Sequence, residues 1–405
     1  MDPRPNARPL HILVLADRDW THPQTGGNGA NLWAHISRWV AWGNRVTVVA
    51  GMYPGAKPVE RFAPNLLVYR MGGRATVFPR AIWKVMRGVG RDADVVLEVV
   101  NGITFLTPLW LRKPRVVLVH HVHRELYIGE FGRLGHLLAW ALEAVPLRLL
   151  YRRIPFVTIS RSARDDLVRV GIPPENISVE YLGVDPDAFR RGTRSAEPRL
   201  LYLGRLKAYK RIENVLDVLE AVPGAMLDIV GDGDHRKELE AEIARRGLTD
   251  RVEMHGYVDE ERKAELYGRA WIALTASSSE GWSLTVMEAA LCGTPSAALA
   301  VGGLSESIVD GETGVLVDEP HELARRVREV IERPELRDRL ADAAERRAKT
   351  FTWDRPAEIN LGVLRRAANH HGPEPADAEV EPHASANGVG SAAAGESGVS
   401  PQARR

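Results

Sequence analysis

Along most of this chain a short apolar run is followed by a helical pattern, and after a polar interruption the series begins again. "HILVLA" leads into the polar "DRDWTHPQTGGNG" and then a segment with Leu32, Trp33, Ile36, Trp39 and Val40 on one helical face, stopped at Gly43. "RVTVVAG", "LLVYRM", "DVVLEVV", "RVVLVHH" and "FVTIS" continue as strands, with "FPRAIWKVMRGVGR" a helix among them. Alternation of this kind builds βαβ units, which close as a parallel sheet with helices on both faces. The stretch "YLGVDPDAFRRGTRSAEPR", rich in Pro, Gly and Arg, interrupts the pattern. "LLYLGRL", "AMLDIVGDG", "RVEMHGYV", "WIALTAS", "PSAALA" and "GVLVD" then form a second set of strands. The expected architecture is α/β, with two Rossmann-like lobes facing across a cleft. The boundaries read as 1–188 for the first lobe, 189–350 for the second and 351–369 for a C-terminal helix. Residues 370–405 lack apolar periodicity and are expected to be disordered.

Charge and cysteine usage narrow the function classes. A net charge of +1 over 405 residues argues against a dedicated nucleic-acid binder. The charge is unevenly spread, with 25 Lys and Arg against 16 Asp and Glu up to Arg190, and 29 against 37 beyond it. A basic first half suits an anionic acceptor or membrane surface. A single cysteine, Cys292, forbids an intrachain disulfide and fits a reducing compartment. The first apolar run is short and ends in "DRD", unlike a secretory signal. The stretch "HLLAWALEAVPLRLLYRR" is broken by Glu143, Pro146 and Arg148, unlike a membrane span. A cytoplasmic protein, soluble or peripheral at the inner membrane face, is expected.

The chemistry concentrates in "SSSEGWSLTVMEAALCGTPSAALAVGGLSESIVDGETGVLV". Glu280 stands at the mouth of an apolar helix and Glu288 inside it. Eight residues leave the two about 80° apart on an ideal helix, so only a loop at Glu280 lets them converge. A carboxylate in an apolar helix requires donors. On spacing alone, an equally good reading pairs Glu288 with a neighbouring Arg and leaves Glu280 as a charge favoured by the helix dipole. The amides around Ser283, Leu284 and Thr285 would be open to an anion such as a diphosphate. Weaker signals lie elsewhere. Gly26, Gly27 and Gly29 let backbone approach a ligand but also suit a plain turn, and "GRLKAYKR" supplies the cations Arg205 and Lys210. His120, His121 and His123 end a strand. His121 and His123 share a face, but no Cys or acidic ligand at metal spacing accompanies them, so no metal site is assigned.

In this order the motifs resemble those of the retaining glycosyltransferases of family 4, which have the GT-B fold. The resemblance runs from "HILVLA" to "FTWD" and is most specific at the E-x7-E pair in "EGWSLTVMEAALCGTP". It implies transfer of a sugar from a nucleotide-diphosphate sugar to a hydroxyl acceptor, with retention, and without a metal or other cofactor. It also implies that Arg205 and Lys210 hold the donor diphosphate with Gly27 and the amides of Ser283, Leu284 and Thr285. Glu288 would meet the ribose, with Tyr257 and Val258 flanking the base. Glu280 would position the donor sugar and His120 contact it near the anomeric centre. Ser283 stands where the family commonly has a second Gly, and Leu182 where Asn often precedes "GVD". A nucleotide-sugar 2-epimerase and a non-catalytic sugar-binding subunit are the alternatives, and the acceptor (envelope glycan, lipid precursor or small metabolite) is left open.

Overall fold

The computed structural model describes residues 8–122, 137 and 140–369. His123 and the tail from 370 therefore lie outside the described residues. The first lobe is built on an eight-stranded sheet in the order β3-β4-β2-β1-β5-β6-β7-β8. Its strands are β1 (His11–Leu15), β2 (Arg45–Ala50), β3 (Val59–Ala63), β4 (Leu66–Arg70), β5 (Val95–Val100), β6 (Arg115–Val119), β7 (Phe156–Thr158) and β8 (Ile177–Val179). All pair in parallel except β3, which runs antiparallel to β4 at the edge. The second sheet, in the order β11-β10-β9-β12-β13-β14, is wholly parallel. Its strands are β9 (Arg199–Leu203), β10 (Met226–Val230), β11 (Val252–Gly256), β12 (Ile272–Thr275), β13 (Ser296–Leu299) and β14 (Gly314–Val317).

Each sheet is apolar on both faces because helices cover both, and β1 and β5 are buried along their whole length. The strand order reverses beside β1 in one lobe and beside β9 in the other. Crevices open at the C-terminal ends of strands at such switch points. The helices used below are α1 (Gly26–Ala41), α2 (Val77–Met86), α3 (Arg161–Val170), α4 (Glu260–Arg269), α5 (Leu284–Leu291) and α6 (Asp354–Ala368).

Two strands were not anticipated from the sequence. β3, "VERFA", is a largely exposed edge strand with no apolar alternation, and β8 has only three residues. The C-terminal helix also has a definite home. α6 returns to the first lobe, where Trp39 Nε1 donates to Ala357 O at 2.9 Å and Leu361 and Leu364 join the core around Ile36 and Trp39. The chain thus crosses between lobes twice, and the crossings touch. Val184 N donates to Phe351 O at 2.9 Å, and a Cβ on Gly183 would fall 2.3 Å from Trp353 N. Tyr181, Trp282 and Phe351 pack together beside these crossings with their rings tilted or edge-on, the Trp282 centroid 4.8 Å from Tyr181 and 5.3 Å from Phe351.

A side chain of the second lobe caps a helix of the first. Glu306 accepts from Arg161 N and Ser162 N at 2.8 Å each, and from Tyr181 Oη at 3.0 Å. Together with Ser160 Oγ, which accepts from Ala163 N at 3.1 Å, it satisfies the first amides of α3. Replacing Glu306 by Ala is expected to cost about 1–2 kcal/mol, as loss of a helix cap does. Thermal denaturation should show it, with the Glu306→Gln variant keeping part of the stability because its amide oxygen still accepts.

Candidate active site

The loop carrying Glu280 follows β12 and is held by close backbone packing. Gly303 N donates to Glu280 O at 2.7 Å, and a Cβ on Gly302 or Gly303 would lie 2.3 Å from Glu280 O or 2.2 Å from Gly281 O. Only glycine fits at either position. The loop is also tied to the turn after β9, where Ser278 N donates to Tyr209 O at 2.9 Å. Across this junction Lys210 Nζ forms a short ion pair with Glu280 Oε1, which also accepts from Ser277 Oγ at 2.9 Å. Both charged side chains are about 15% exposed. Burial works against the Lys210 ammonium, but Glu280 outweighs it and raises the lysine's pKa above its ordinary value.

Arg205 lies beside this pair on the same turn, exposed, with Nη2 3.3 Å from Tyr209 Oη. Its turn lies against the loop "GDG". A Cβ on Gly231 would meet Gly204 O at 2.0 Å, and one on Gly233 would meet Leu206 O at 2.0 Å. The structure therefore gathers Arg205, Lys210 and Glu280 at the mouth of α5. That helix begins at Leu284 with Ser283 extended and making no side-chain cap; Ser283 Oγ turns instead to Thr285 Oγ1 at 3.0 Å. The first amides of such a helix and its positive dipole end favour an anion, as the nearby cations do.

The first lobe approaches this assembly through His120 and Gly27, among others. A Cβ on Gly281 would lie 2.8 Å from His120 O, and one on Gly27 would lie 3.5 Å from Leu284 Cδ1. Gly27 is not in a loop before the helix, as the sequence suggested. The glycine-rich segment is itself the first turn of α1, entered through Gly26 at φ +57°. His120 is buried, with its ring Nε2 2.9 Å from Asn31 Nδ2.

Glu288 lies about one turn into α5, its side chain 12% exposed. Its partners come from α4 and neither is an arginine. Lys263 Nζ is 3.1 Å from Oε1, and Tyr267 Oη donates to Oε2 at 2.9 Å. Burial raises the Glu288 pKa, with Lys263 and Tyr267 pulling the other way. Tyr257 and Val258 sit just past β11, Tyr257 being 89% exposed and Val258 half-buried. Cys292, just past α5, is buried, and burial pushes its thiol up to about 12, which marks it as packing.

Among the described residues, one group of potential metal ligands lies apart from this assembly: Asp228, Glu253 and His255. Asp228 Oδ1 already receives Arg199 Nη1 at 2.9 Å, Arg269 Nη2 at 2.7 Å and His255 Nε2 at 2.8 Å. Two guanidinium groups on one carboxylate oppose a further cation, so the cluster reads as an ion-pair network.

Two parallel lobes hinged at a double crossing, with cations and a helix N-terminus converging on the cleft, define the GT-B class of fold. The chain belongs to the group 1 and family 4 glycosyltransferases: the family model "Glycosyltransferase Family 4" matches residues 25–188, and "Glycosyl transferases group 1" matches 185–347. A D-inositol 3-phosphate glycosyltransferase of Xylanimonas cellulosilytica is 32% identical over 52% of this chain and 56% of its own length. The chain thus spans only about half the length of several curated relatives of that name. A GDP-mannose-dependent alpha-(1-6)-phosphatidylinositol dimannoside mannosyltransferase of Mycobacterium tuberculosis is 29% identical over 87% of this chain and 96% of its own length. Among solved structures, sucrose-phosphate synthase of Thermosynechococcus elongatus superposes with a TM-score of 0.76 at 20% identity, covering 88% of this chain and 98% of its own. Anabaena HepE in complex with UDP-glucose superposes at 0.69 and 19%, covering 89% and 100%. At these identities the likeness concerns the fold.

Several residues of the assembly were not singled out from sequence. Lys263 and Tyr267 reach Glu288 from another helix, and no local pattern announces that contact. Gly302, Gly303 and Glu306 lay in the quoted "VGGLSES" without a role. The adjacent glycines were the available signal, since paired Gly after a strand marks close backbone approach.

Proposed function

We propose that this chain is a retaining glycosyltransferase that takes a sugar from a nucleotide-diphosphate donor and passes it to a hydroxyl acceptor. The observation that carries the reading is the largely but not fully buried Lys210–Glu280 pair at the N-terminal end of α5, with Arg205 beside it. A departing nucleoside diphosphate gains negative charge as the glycosidic bond breaks. Fixed cations and helix amides stabilise that state more than the ground state. Glu280, held by Ser277, is placed to orient a sugar hydroxyl. Glu288 is placed to accept from the ribose, and His120 closes the cleft from the first lobe. Same-face attack, with the donor phosphate receiving the acceptor proton, is the route to retention that needs no further base.

The cations of the site supply the charge neutralisation that a divalent ion would otherwise give. Excess EDTA is therefore expected to leave the rate unchanged, and a loss restored by Mg²⁺ or Mn²⁺ would reject metal independence. Purified protein should release nucleoside diphosphate with an acceptor when given a panel that includes GDP-mannose and UDP-glucose, with inositol phosphates and mannosylated phosphatidylinositol among the acceptors. These choices follow what the relatives are named for. No acceptor-dependent release with any donor would reject the transferase reading in favour of a binding subunit. Donor isomerised without an acceptor would favour an epimerase. Replacing Glu288 by Ala removes a hydrogen bond to a carboxylate, worth about 1.5–3 kcal/mol, and should raise the donor KM about 10- to 100-fold.

We further propose that the protein works at the cytoplasmic face of a membrane. Among the described residues no helix is long and apolar enough to cross one. α2 exposes Trp83 at 56% and Met86 at 71% beside Arg80, Lys84 and Arg87, an apolar and basic face suited to anionic lipid. Co-sedimentation with vesicles containing phosphatidylglycerol, weakened by replacing Trp83 and Met86 with Ser, tests it.

A further inference from the structure

Behind His120 lies a set of polar side chains that the donor site does not use. Asn31 and His35 of α1, Glu180 after β8 and Asn360 of α6 are each 0% exposed, and His120 itself is 2% exposed. They come from four separate segments, and their surroundings are the apolar core of Ile36, Trp39, Leu361 and Leu364. His35 stacks on Trp39 at 5.4 Å, and its Nε2 is 3.2 Å from Glu180 Oε1. Burial pushes the Glu180 carboxyl well above the usual carboxylate range, with Asn31 and Asn360 pulling the other way, and none of these approaches to its oxygens has full hydrogen-bond geometry. A core that only had to pack would be more stable with apolar residues here, since each buried polar group without a full set of partners is costly. Such an arrangement ends on one functional atom. Asn31 Nδ2 lies 2.9 Å from His120 Nε2.

We infer that Asn31 is a positioning residue that fixes His120 as the neutral tautomer protonated on Nδ1. An amide nitrogen carries two hydrogens and accepts none. When Asn31 Nδ2 faces His120 Nε2, that nitrogen must therefore be the acceptor and the ring proton must sit on Nδ1. The amide orientation is that of the structure, in which Nδ2 is the Asn31 atom at His120 Nε2, and a Glu180 carboxyl held neutral by burial still offers its carbonyl oxygen to the same amide nitrogen. Glu180 is held in turn beside His35 and Asn360, so the orientation of Asn31 is anchored to α1 and α6. His120 O meanwhile rests against Gly281 at the donor loop. The ring is thereby held between the buried cluster and the cleft, with its protonation state set before any substrate arrives. The catalytic consequence rests on the proposed contact of His120 with the donor sugar, but the tautomer does not.

The test reads the imidazole nitrogens directly. In protein labelled with ¹⁵N-histidine, long-range ¹H–¹⁵N correlation should show His120 Nε2 as the unprotonated nitrogen, its signals assigned by their absence in His120→Gln. Asn31→Asp, whose carboxylate accepts, is expected to move the ring proton to Nε2. A wild-type spectrum with the proton on Nε2, or an Asn31→Asp spectrum with the wild-type pattern, would overturn the inference. Should Asn31→Asp not fold, the wild-type spectrum alone decides. Where transferase activity is present, Asn31→Asp should lower kcat by about 10- to 100-fold, the loss typical when the outer partner orienting a histidine is removed, with the donor KM nearly unchanged. A changed KM at constant kcat would instead make Asn31 a contributor to packing around the donor. An inactive wild type that still shows the Nδ1 tautomer would separate failure of the functional reading from failure of this one.

Discussion

Lys210→Ala is expected to lower kcat by about 10²–10³-fold, the scale on which loss of one preorganised group facing developing negative charge acts. Two effects combine at this position. The variant removes a cation fixed beside the mouth of α5, and it leaves Glu280 with Ser277 as its remaining partner in a site where both members of the pair are only about 15% exposed. Truncating one partner of a mostly buried pair costs up to about 3 kcal/mol of stability, so activity must be compared at equal folded fraction. Glu280→Ala should cost a similar factor, and the double variant should fall far short of the product, because two residues that act as a unit are not additive. Multiplicative losses would mean that the pair is structural coincidence. The pH dependence gives a second check. Glu280 raises the Lys210 pKa above the ordinary 10.5, so the stabilisation from its charged form is complete below that value and is lost only as pH rises through the higher folded one. The stability deficit of Lys210→Ala should accordingly not diminish as pH rises from about 6 to 9, as followed by urea denaturation.

The reach of sequence reasoning follows the range of the interactions. The two sheets were legible because a strand buried on both faces reads as a near-continuous apolar run, as β1 and β6 do after their first residue, β2 does after its first residue apart from Thr47, and β5 does apart from Glu98. β3 and β8 were not, since one is an exposed edge and the other too short to show a period. At the site, the need of Glu288 for buried donors was legible from its apolar helix, but the identity of the donors was not. An arginine was one candidate, whereas Lys263 and Tyr267 arrive from α4, more than twenty residues away in sequence. The return of α6 to the first lobe was hidden for the same reason. The amphipathic pattern of 354–368 says that one face is buried, and nothing in it says against which lobe. The cluster of Asn31, His35, Glu180 and Asn360 is the extreme case, four polar residues on otherwise unremarkable elements that acquire meaning only when they are found together in a core.

The glycine pair shows how a position without a functional group can control the chemistry. A methyl group on Gly303 would stand 2.2 Å from Gly281 O and 2.6 Å from Gly281 C, both backbone atoms that no side-chain rotation can move aside. Either the Gly302–Gly303 turn or the Glu280–Trp282 segment must shift by the better part of an ångström. The hydrogen bond from Gly303 N to Glu280 O couples the two, so the shift reaches Glu280 itself. Gly281 in turn abuts His120 O, leaving the loop little room to retreat toward the first lobe. Gly303→Ala is therefore expected to destabilise the protein by about 1–3 kcal/mol, as overpacking of a filled interior does, and to lower kcat by about 100-fold, the loss that follows a misplacement of about 1 Å in a positioned group. The comparison that isolates the cause is Gly311→Ala. That residue has positive φ, at +71°, as Gly302 does and Gly303 does not, but open space around its Cβ. It should lose stability through backbone strain alone, about 1–2 kcal/mol, while retaining nearly full activity. Equal activity losses in the two variants would show that the glycine pair acts through general destabilisation and does not set the position of Glu280.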